Sequence, residues 1–376
     1  MSKSLVLVAG EISGDTHGGK LMESLLDVGD WQVSGLGGPR MADLSPDIEN
    51  WLDQAAVLGL AEVLRKYSYF RGKLEDAVGR IGQAQPDGVV LIDYPGFNLR
   101  LAARLRADGY TGKLIYYISP QVWAWKKGRI KTMSRLLDLM ICIFPFEKEL
   151  YEDSGLPTVF AGHPLVDSMS EVDDLEIERD HALVALLPGS REREIAKLYP
   201  PMLEAAKQLL KRHPDLRFAT TGATAPLTEV LREMTRSAGL EDKVEVGACS
   251  SQQIMRRAAV GVVASGTATL EAACLGLPYC LTYKTAWLTA VAARWLMSVD
   301  FLGIVNVIAG REVVKELLQE RATGKEIANE LSRLLDDSES RERLQSELAE
   351  VVESLGDGGS HERAAAAIAA LWEEKS

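Results

Sequence analysis

The sequence lacks several features that would assign it at once to a common class of protein. It has four cysteines, Cys142, Cys249, Cys274 and Cys280, and none belongs to a Cys-x-x-Cys pair. This spacing argues against a disulfide framework or a zinc site and predicts buried, reduced thiols. No apolar run approaches the ~20 residues of a membrane-spanning helix, and the N-terminus has no signal-peptide cleavage pattern. The protein is therefore predicted to reside in the cytoplasm.

Positive charge is outnumbered, with 42 Lys and Arg against 54 Asp and Glu, and histidine is scarce. The net charge is −12 at pH 7, whereas a nucleic-acid-binding protein needs a basic surface, so we expect no nucleic-acid partner. The five histidines are scattered, and no cluster has the spacing of metal ligands, so we expect neither a metal nor a cofactor. A dehydrogenase is disfavoured because no Gly-x-Gly-x-x-Gly motif opens the chain.

The sequence does have a regular alternation of apolar runs and helical patterns. Runs such as SLVLVAG, GVVLIDYPG and ALVALLPGS are each followed by a helical pattern, which predicts βαβ units and mostly parallel sheets. The acidic segment EVDDLEIERD interrupts this alternation. We predict two Rossmann-like, doubly wound α/β domains, residues 1–165 and 166–355, with a cleft between their facing carboxyl edges. In proteins of this kind the last helix, here about 356–376, often returns to the first domain.

The first strand-to-helix loop, GDTHGGKL, comes within one residue of a phosphate-binding P-loop. Gly14, Gly19 and Lys20 fit that motif, but Leu21 stands where a Ser or Thr hydroxyl would bind Mg²⁺. The loop is therefore not expected to hold a nucleoside triphosphate. Two interpretations remain, a ligand-binding loop at the sheet edge and a tight turn that needs small residues.

Asp93 lies at the carboxyl end of a predicted strand. In GVVLIDYPGFN it follows four apolar residues, so it emerges where the sheet ends. It is either a general base that takes a proton from an attacking hydroxyl or a turn aspartate before Pro95. Because a charged group there is costly unless used, and catalytic groups gather at strand ends in open α/β sheets, the sequence favours the base.

One strand-to-helix junction in the second half has the composition of a phosphate site. In LLPGSRERE, Gly189 and Ser190 end a strand, and Arg191 precedes a helix whose N-terminus favours anions. The guanidinium of Arg191 either binds a diphosphate or forms a weak surface pair with Glu194.

A second junction, VVASGTATLEA, places Ser265, Gly266 and Thr267 before a helix with Glu271 one turn inside it. Small residues permit close approach to a phosphate, and the Glu271 carboxylate can accept both hydroxyls of a ribose. An ordinary Ser/Thr helix cap with a glutamate near the helix N-terminus explains the same spacing.

The segment LGLAEVLRKYSYFRGKL combines apolar, aromatic and basic residues. It is either an amphipathic helix that lies in a lipid headgroup layer or a packed helix whose basic face is solvated. The residues predicted to contact a membrane are Leu60, Val63, Leu64, Tyr67 and Phe70.

A set of motifs along the chain is similar to those of one enzyme family. They are VAGEISGDTHGG, GLGGPRM, LIDYPGFN, YYISPQVWAWKKGRI, FPFEKELY, GHPLVD, LLPGSRERE, ASGTATLEA and VNVIAGREVVKELLQE. From Val6 to about Gln319 the chain thereby resembles the lipid-A-disaccharide synthases. The resemblance implies the GT-B fold, in which two Rossmann-like domains face a central cleft, and an inverting glycosyl transfer.

The implied donor is UDP-2,3-diacylglucosamine, and the implied acceptor is the 6-hydroxyl of 2,3-diacylglucosamine 1-phosphate. The products are the β-1,6-linked lipid A disaccharide and UDP. Together with the aromatic and basic segment, the resemblance predicts peripheral association with the inner face of the cytoplasmic membrane. Whether the protein forms a homodimer stays open.

The resemblance also assigns residues to roles. Asp93 matches the essential acidic residue of the family, and Arg191 matches its essential arginine. The cleft loop of the first domain is matched by Glu11, Ser13 and Gly14. The UDP-sugar side is matched by Gly189, Ser190, Arg191, Ser265, Gly266, Thr267, Glu271 and Asn306.

Two alternatives share parts of this pattern. A GT-B relative that acts on another UDP-sugar, such as a peptidoglycan GlcNAc transferase or a UDP-GlcNAc epimerase, has the same fold and the same nucleotide half. A non-enzymatic module that binds a nucleotide sugar or a lipid would not require a carboxylate at Asp93.

Overall fold

The structure, a computed structural model, divides by its contacts into two compact units. Unit 1 comprises residues 1–164 and 356–376, and unit 2 comprises residues 165–355. The sequence pattern places the boundary after residue 165, and the contacts place it after Pro164. The described residues are 2–52, 63–122, 128–173, 177–284 and 300–373.

The described part of unit 1 alternates strands with helices. Its strands are β1 (Lys3–Ala9), β2 (Trp31–Gly37), β3 (Ile48–Asn50), β4 (Gly88–Ile92), β5 (Lys113–Tyr117), β6 (Leu139–Cys142) and β7 (Thr158–Phe160). Its first helices are α1 (Ile12–Val28), α2 (Pro39–Leu44), α3 (Val63–Ala84), α4 (Pro95–Ala107), α5 (Gly128–Leu136) and α6 (Pro145–Glu152). The strands form one parallel sheet in the order β3-β2-β1-β4-β5-β6-β7.

Unit 2 has the same kind of alternation. Its described strands are β8 (Asp180–Leu187), β9 (Arg217–Thr220), β10 (Val244–Val246), β11 (Ala258–Ala264), β12 (Tyr279–Tyr283) and β13 (Glu316–Leu318). Its helices, from one that starts at the unit boundary, are α7 (Pro164–Asp173), α8 (Glu192–Arg212), α9 (Ala225–Ser237), α10 (Ser251–Arg257), α11 (Thr267–Cys274), α12 (Ile304–Ala309), α13 (Gly324–Asp336) and α14 (Ser338–Ser354), with a 3₁₀ turn at Gln319–Arg321. The strands form a second parallel sheet in the order β10-β9-β8-β11-β12-β13.

Each sheet has one point where the strand order reverses. In unit 1 this point lies between β1 and β4, and in unit 2 it lies between β8 and β11. Every residue of β4 and β11 is buried, as expected of parallel strands covered by helices on both faces. Polar residues that follow these strands emerge at the carboxyl edge, where open α/β sheets bind their ligands.

The C-terminal helix, α15 (Ser360–Glu373), is part of unit 1 and packs on α1. The Nε atom of Arg363 donates a hydrogen bond to the Ala161 carbonyl over 2.8 Å. The rings of Trp372 and Trp31 meet edge to face, with centroids 5.5 Å apart. Through these contacts the C-terminal helix packs against elements from the N-terminal part of unit 1.

His17 and His361 form the centre of this helix contact. Their rings stack with centroids 5.6 Å apart, and the Nδ1 atom of His361 lies 3.0 Å from the Tyr117 hydroxyl. Burial, with His361 and Lys20 adding to it, lowers the pKa of His17 to about 4. His17 is therefore neutral at pH 7 and serves to pack α15 on α1.

Candidate active site

Asp93 is held by its backbone at the switch point of the unit 1 sheet. Its N–H donates to the Tyr117 carbonyl over 2.9 Å. Its carbonyl accepts hydrogen bonds from Asn98 Nδ2 at 2.8 Å and from the Tyr116 hydroxyl at 2.6 Å. Asp93 and Tyr94 have φ angles of 47° and 46°, which residues with side chains rarely adopt unless their surroundings impose it.

The carboxyl group of Asp93 is half-buried and electrostatically perturbed. Burial raises its pKa above the ordinary aspartate range, the charge of Glu11 raises it further, and a hydrogen bond from the Tyr94 backbone opposes both. A raised pKa makes the carboxylate a stronger proton acceptor. Half-burial and a raised pKa are the properties expected of a general base, and that role stays a prediction.

The loop after β1 lies beside Asp93. Glu11 and Ser13 are exposed, whereas Gly14 is buried at the start of α1. Gly10 touches the Tyr94 ring so closely that a Cβ added there would overlap it. This close approach explains the glycine, and it joins the β1 and β4 loops into one surface.

Asp15, in the first turn of α1, has a role that the sequence patterns missed. It is only 3% exposed. Its carboxylate accepts hydrogen bonds from the N–H groups of Gly38 at 2.7 Å, Arg40 at 3.0 Å and Met41 at 3.1 Å. It thereby caps the start of α2 and links the GDTHGG and GLGGPRM motifs. In the sequence, the only sign of this role was that Asp15 lies within one glycine-rich motif and that a second such motif follows it.

Asp15→Asn is expected to lower the free energy of unfolding by about 1.5–3 kcal/mol, because an amide turns an NH₂ group toward backbone donors that need an acceptor. Denaturant unfolding followed by tryptophan fluorescence measures the loss. Asp43→Asn, an equal charge change at an exposed position of α2, is the control. Equal stability of the two variants would contradict this role for Asp15.

Unit 2 contains a cavity of about 560 Å³ at its own switch point. The loops after β8 and β11 and the start of α11 contribute seven of the predicted residues, Gly189, Ser190, Arg191, Ser265, Gly266, Thr267 and Glu271. The sequence patterns did not identify the other polar residues of the lining, which are Glu194, Thr221, Ser250 and Ser251. The loops that carry the last three have no charged residue or glycine-rich motif to mark them.

Arg191 forms the surface ion pair with Glu194 that the sequence left as one of two alternatives, and its binding of a diphosphate stays a prediction. It is the N-cap of α8, its side chain is 80% exposed, and its Nη1 lies 3.0 Å from Glu194 Oε1. Oε2 of Glu194 accepts hydrogen bonds from the N–H groups of Ser190 at 3.2 Å and Arg191 at 3.3 Å. The N-terminus of α8 thus already binds the carboxylate of a residue in its own first turn.

Glu271 lies one turn inside α11 and lines the same cavity. It is half-buried, and burial raises its pKa. Among the described residues its carboxylate has no hydrogen-bond partner, in contrast to Glu194. Its acceptor oxygens are therefore available to a ligand in the cavity.

Asn306 departs from the prediction, because it does not line the cavity. It is fully buried, and its Oδ1 accepts from the N–H groups of Val313 at 2.9 Å and Val314 at 2.8 Å. Its Nδ2 donates to the Val314 carbonyl at 2.8 Å and to Glu316 Oε1 at 2.9 Å. Both ends of the amide are occupied, so Asn306 ties α12 to β13.

The predicted membrane residues divide into three groups. Leu60 lies outside the described residues. Val63, Leu64 and Tyr67 belong to α3, but their side chains lie outside the description. Phe70 is partly buried against the core, with its ring centroid 5.8 Å from Trp51 and 6.1 Å from Tyr94, so it is a packing residue and not a freely exposed one.

The described residues include neither a metal-binding cluster nor a membrane-spanning helix. Among those residues, no group of three or more His, Cys, Asp or Glu side chains could hold a metal ion. No described helix is both long enough and apolar enough to cross a membrane.

The sequence of the chain is similar to those of one family of enzymes. The chain matches the family model for lipid-A-disaccharide synthetase over residues 5–370. A protein of Geobacter sulfurreducens named lipid-A-disaccharide synthase is 40% identical to it, over 98% of this chain and 97% of that protein.

Among solved structures, a UDP-GlcNAc 2-epimerase from Neisseria meningitidis bound to UDP-GlcNAc has a TM-score of 0.63 at 13% identity, covering 98% of this chain and 100% of that one. MurG from Acinetobacter baumannii has a TM-score of 0.59 at 13% identity, covering 98% and 99%. At such identity these likenesses establish the fold alone, and they confirm the predicted GT-B class of two Rossmann-like domains. Because the family model spans nearly the whole chain and the Geobacter protein is 40% identical along it, the chain belongs to the lipid-A-disaccharide synthetase family of glycosyltransferases.

Proposed function

We propose that the protein transfers a 2,3-diacylglucosaminyl group from UDP to the 6-hydroxyl of 2,3-diacylglucosamine 1-phosphate, with inversion at the anomeric carbon. The acceptor oxygen forms a bond to C1 while the bond between C1 and the UDP oxygen breaks. The hydroxyl proton passes to Asp93, and UDP leaves with the electron pair. The observation that carries the proposal is the pinned, half-buried Asp93 at the unit 1 switch point in a chain of this family.

The unit 2 cavity is assigned to the UDP part of the donor. Arg191 and the N-terminus of α8 stabilise the negative charge that develops on the diphosphate, which such donors do by about 3 kcal/mol each in comparable sites. The turn from Ser265 to Thr267 approaches the phosphates, and the Glu271 carboxylate accepts hydrogen bonds from the ribose hydroxyls. No metal has a role in this proposal, because Leu21 stands where a P-loop supplies its metal-binding hydroxyl.

The direct test is incubation of the purified protein with UDP-2,3-diacylglucosamine and diacylglucosamine 1-phosphate, with UDP-GlcNAc as the control donor. Mass spectrometry of the products is expected to detect a disaccharide monophosphate and UDP only with the acylated donor. NMR coupling of the new anomeric proton is expected to report the β-linkage. Turnover of UDP-GlcNAc without use of the acylated donor would exclude the proposed substrates and favour an epimerase-like activity.

Peripheral binding to the inner face of the cytoplasmic membrane is part of the same proposal, since both substrates are diacylated. The support is the apolar and basic composition around the start of α3. Leu64→Ser combined with Tyr67→Ser is expected to reduce co-sedimentation with phosphatidylglycerol vesicles several-fold. Leu26→Ser, at an apolar residue of α1 that is 56% exposed, is the matched control. Equal sedimentation of both variants and the unaltered protein would count against the membrane patch.

A further inference from the structure

A concave surface of unit 1 lies between α3 and α4, and its described lining residues include none from the loop after β1. This groove has a volume of about 440 Å³, within the ~300–1,000 Å³ of typical ligand sites. Its apolar lining is formed by Phe70, Leu74, Tyr94 and Phe97, and two arginines, Arg71 and Arg100, complete it. An apolar floor with two cations suits a ligand that has both an acyl chain and an anionic group.

The floor of the groove is firmly anchored. The Trp51 ring lies 5.8 Å from Phe70, 6.5 Å from Tyr94 and 5.0 Å from Phe97, measured between centroids. The Trp51 Nε1 atom donates a 2.7 Å hydrogen bond to the Ala9 carbonyl at the end of β1. The aromatic floor is therefore fixed to the same sheet edge that carries the β1 loop.

The groove also includes the residue that directly follows the proposed general base. Tyr94 lines the groove and directly follows Asp93, so their Cα atoms are about 3.8 Å apart. Both residues have the same left-handed backbone conformation. Asp93 is not among the described residues that line the groove, so a ligand bound there contacts the neighbour of the proposed base in the chain.

The two arginines are available to an anion. Both are exposed, and within the described part of the chain neither forms an ion pair or a side-chain hydrogen bond. Glu75 also contributes to the lining, but its carboxylate is paired with Arg104 over 3.0 Å. The groove therefore presents two uncompensated guanidinium groups, which have the planar, multidentate geometry that phosphate oxygens accept.

We infer that this groove is the acceptor subsite, in which an acyl chain lies on the aromatic floor and the sugar 1-phosphate binds between Arg71 and Arg100. This inference rests on the proposed function and adds the residues that select an acylated sugar bearing a phosphate monoester. Charge complementarity favours the acceptor over the donor, since the acceptor carries a phosphate monoester. The diphosphate of the donor is esterified at both ends and is assigned to unit 2. The subsite distinguishes a phosphorylated acceptor from its dephosphorylated form.

The test is a double-mutant cycle between the arginines and the phosphate. Arg71→Gln and Arg100→Gln, singly and together, are assayed in neutral-detergent micelles with diacylglucosamine 1-phosphate and with diacylglucosamine. Each substitution is expected to raise the KM for the phosphorylated acceptor about tenfold, since a charge-assisted hydrogen bond is lost. Removal of the phosphate should raise KM in the unaltered protein by a similar or larger factor, and should have little effect in the double variant. The KM for the donor should stay unchanged.

Arg80→Gln is the matched control, because Arg80 lies on α3 with Arg71, is exposed, and pairs with Glu49 and Asp76 away from the groove. It should leave the acceptor KM unaltered. An unchanged KM in the double variant, or a phosphate effect of equal size in the double variant and the unaltered protein, would overturn the inference. An effect of the substitutions that appears only with phosphatidylglycerol vesicles and vanishes in neutral micelles would also overturn it, because the arginines would then bind bulk anionic lipid.

Failure of the proposed function is distinguishable from failure of this subsite. If the unaltered protein makes no disaccharide, the proposed function fails. Calorimetric titration with diacylglucosamine 1-phosphate then shows whether the groove binds this compound. About tenfold weaker binding to each arginine variant would support the subsite, and equal binding would exclude it.

Discussion

Asp93→Asn is expected to lower kcat by ~10²–10⁴-fold, the range of general acid–base catalysis, while the dissociation constant for UDP stays unchanged. The amide cannot take the proton of the acceptor hydroxyl, whereas the UDP cavity lies in unit 2 and contains no atom of Asp93. Asparagine tolerates the left-handed conformation that residue 93 adopts, so the backbone is preserved. Single-turnover kinetics and calorimetric UDP titration measure the two quantities separately.

Asp108→Asn, an equal charge change at the exposed end of α4, should keep full activity. Retention of the full rate by Asp93→Asn would remove Asp93 from the chemistry, and loss of UDP affinity would indicate a disturbed fold. A non-enzymatic binding module would show no change in its binding function.

The raised pKa of Asp93 has a consequence for the pH profile of the same reaction. The base must be deprotonated, so kcat/KM rises as the pH increases through the pKa of Asp93. Because burial and the charge of Glu11 both raise that pKa, the acid limb should lie at a higher pH than an ordinary aspartate gives. Glu11→Gln removes one of the two causes and should move the limb to lower pH.

Arg191→Ala is expected to lower kcat by ~10²–10³-fold, the loss seen when one preorganised donor to a developing negative charge is removed. UDP affinity should also fall, because the guanidinium contacts the diphosphate in the ground state as well. Arg191→Lys should recover only part of the rate, since an ammonium lacks the planar fork. Steady-state kinetics with the acylated donor and UDP titration provide both values.

Arg193→Ala is the matched control, because Arg193 is an exposed residue of α8 that does not line the cavity. Thermal unfolding should be nearly the same for all these variants, since the Arg191–Glu194 pair is a surface pair that contributes only ~0–1 kcal/mol. Normal kcat in Arg191→Ala would show that the arginine serves only to pair with Glu194.

The architecture could be predicted from the sequence because its signals are local. A strand buried on both faces needs a continuous apolar run, as in β4 and β11, and the intervening helices have their own period. The same logic predicted the candidate ligand loops, since the residue after a buried parallel strand must emerge at the carboxyl edge. Asp93, Gly189 to Arg191 and Ser265 to Thr267 were found in this way.

Some roles could not be predicted, because they depend on contacts between residues distant in sequence or on side-chain direction. These are the roles of Asp15, Phe70, Glu194 and Asn306. Asp15 looks like part of a phosphate loop until its carboxylate is seen to cap α2, 23 residues away. Phe70 fits an amphipathic stripe, yet its ring packs beside Trp51. Asn306 has the polar side chain of a ligand contact, but Val313, Val314 and Glu316 occupy it.

The sequence by itself thus determined two doubly wound α/β units, the loops that border their switch points and, through its motifs, the family. Only the tertiary structure decided which polar side chains in and around those loops have no partner and which form hydrogen bonds within the fold. It also brought Arg71 and Arg100 to one aromatic groove. The physical reason is that strand and helix patterns report burial along one segment. Hydrogen-bond satisfaction and charge pairing are settled by the partners that another segment brings.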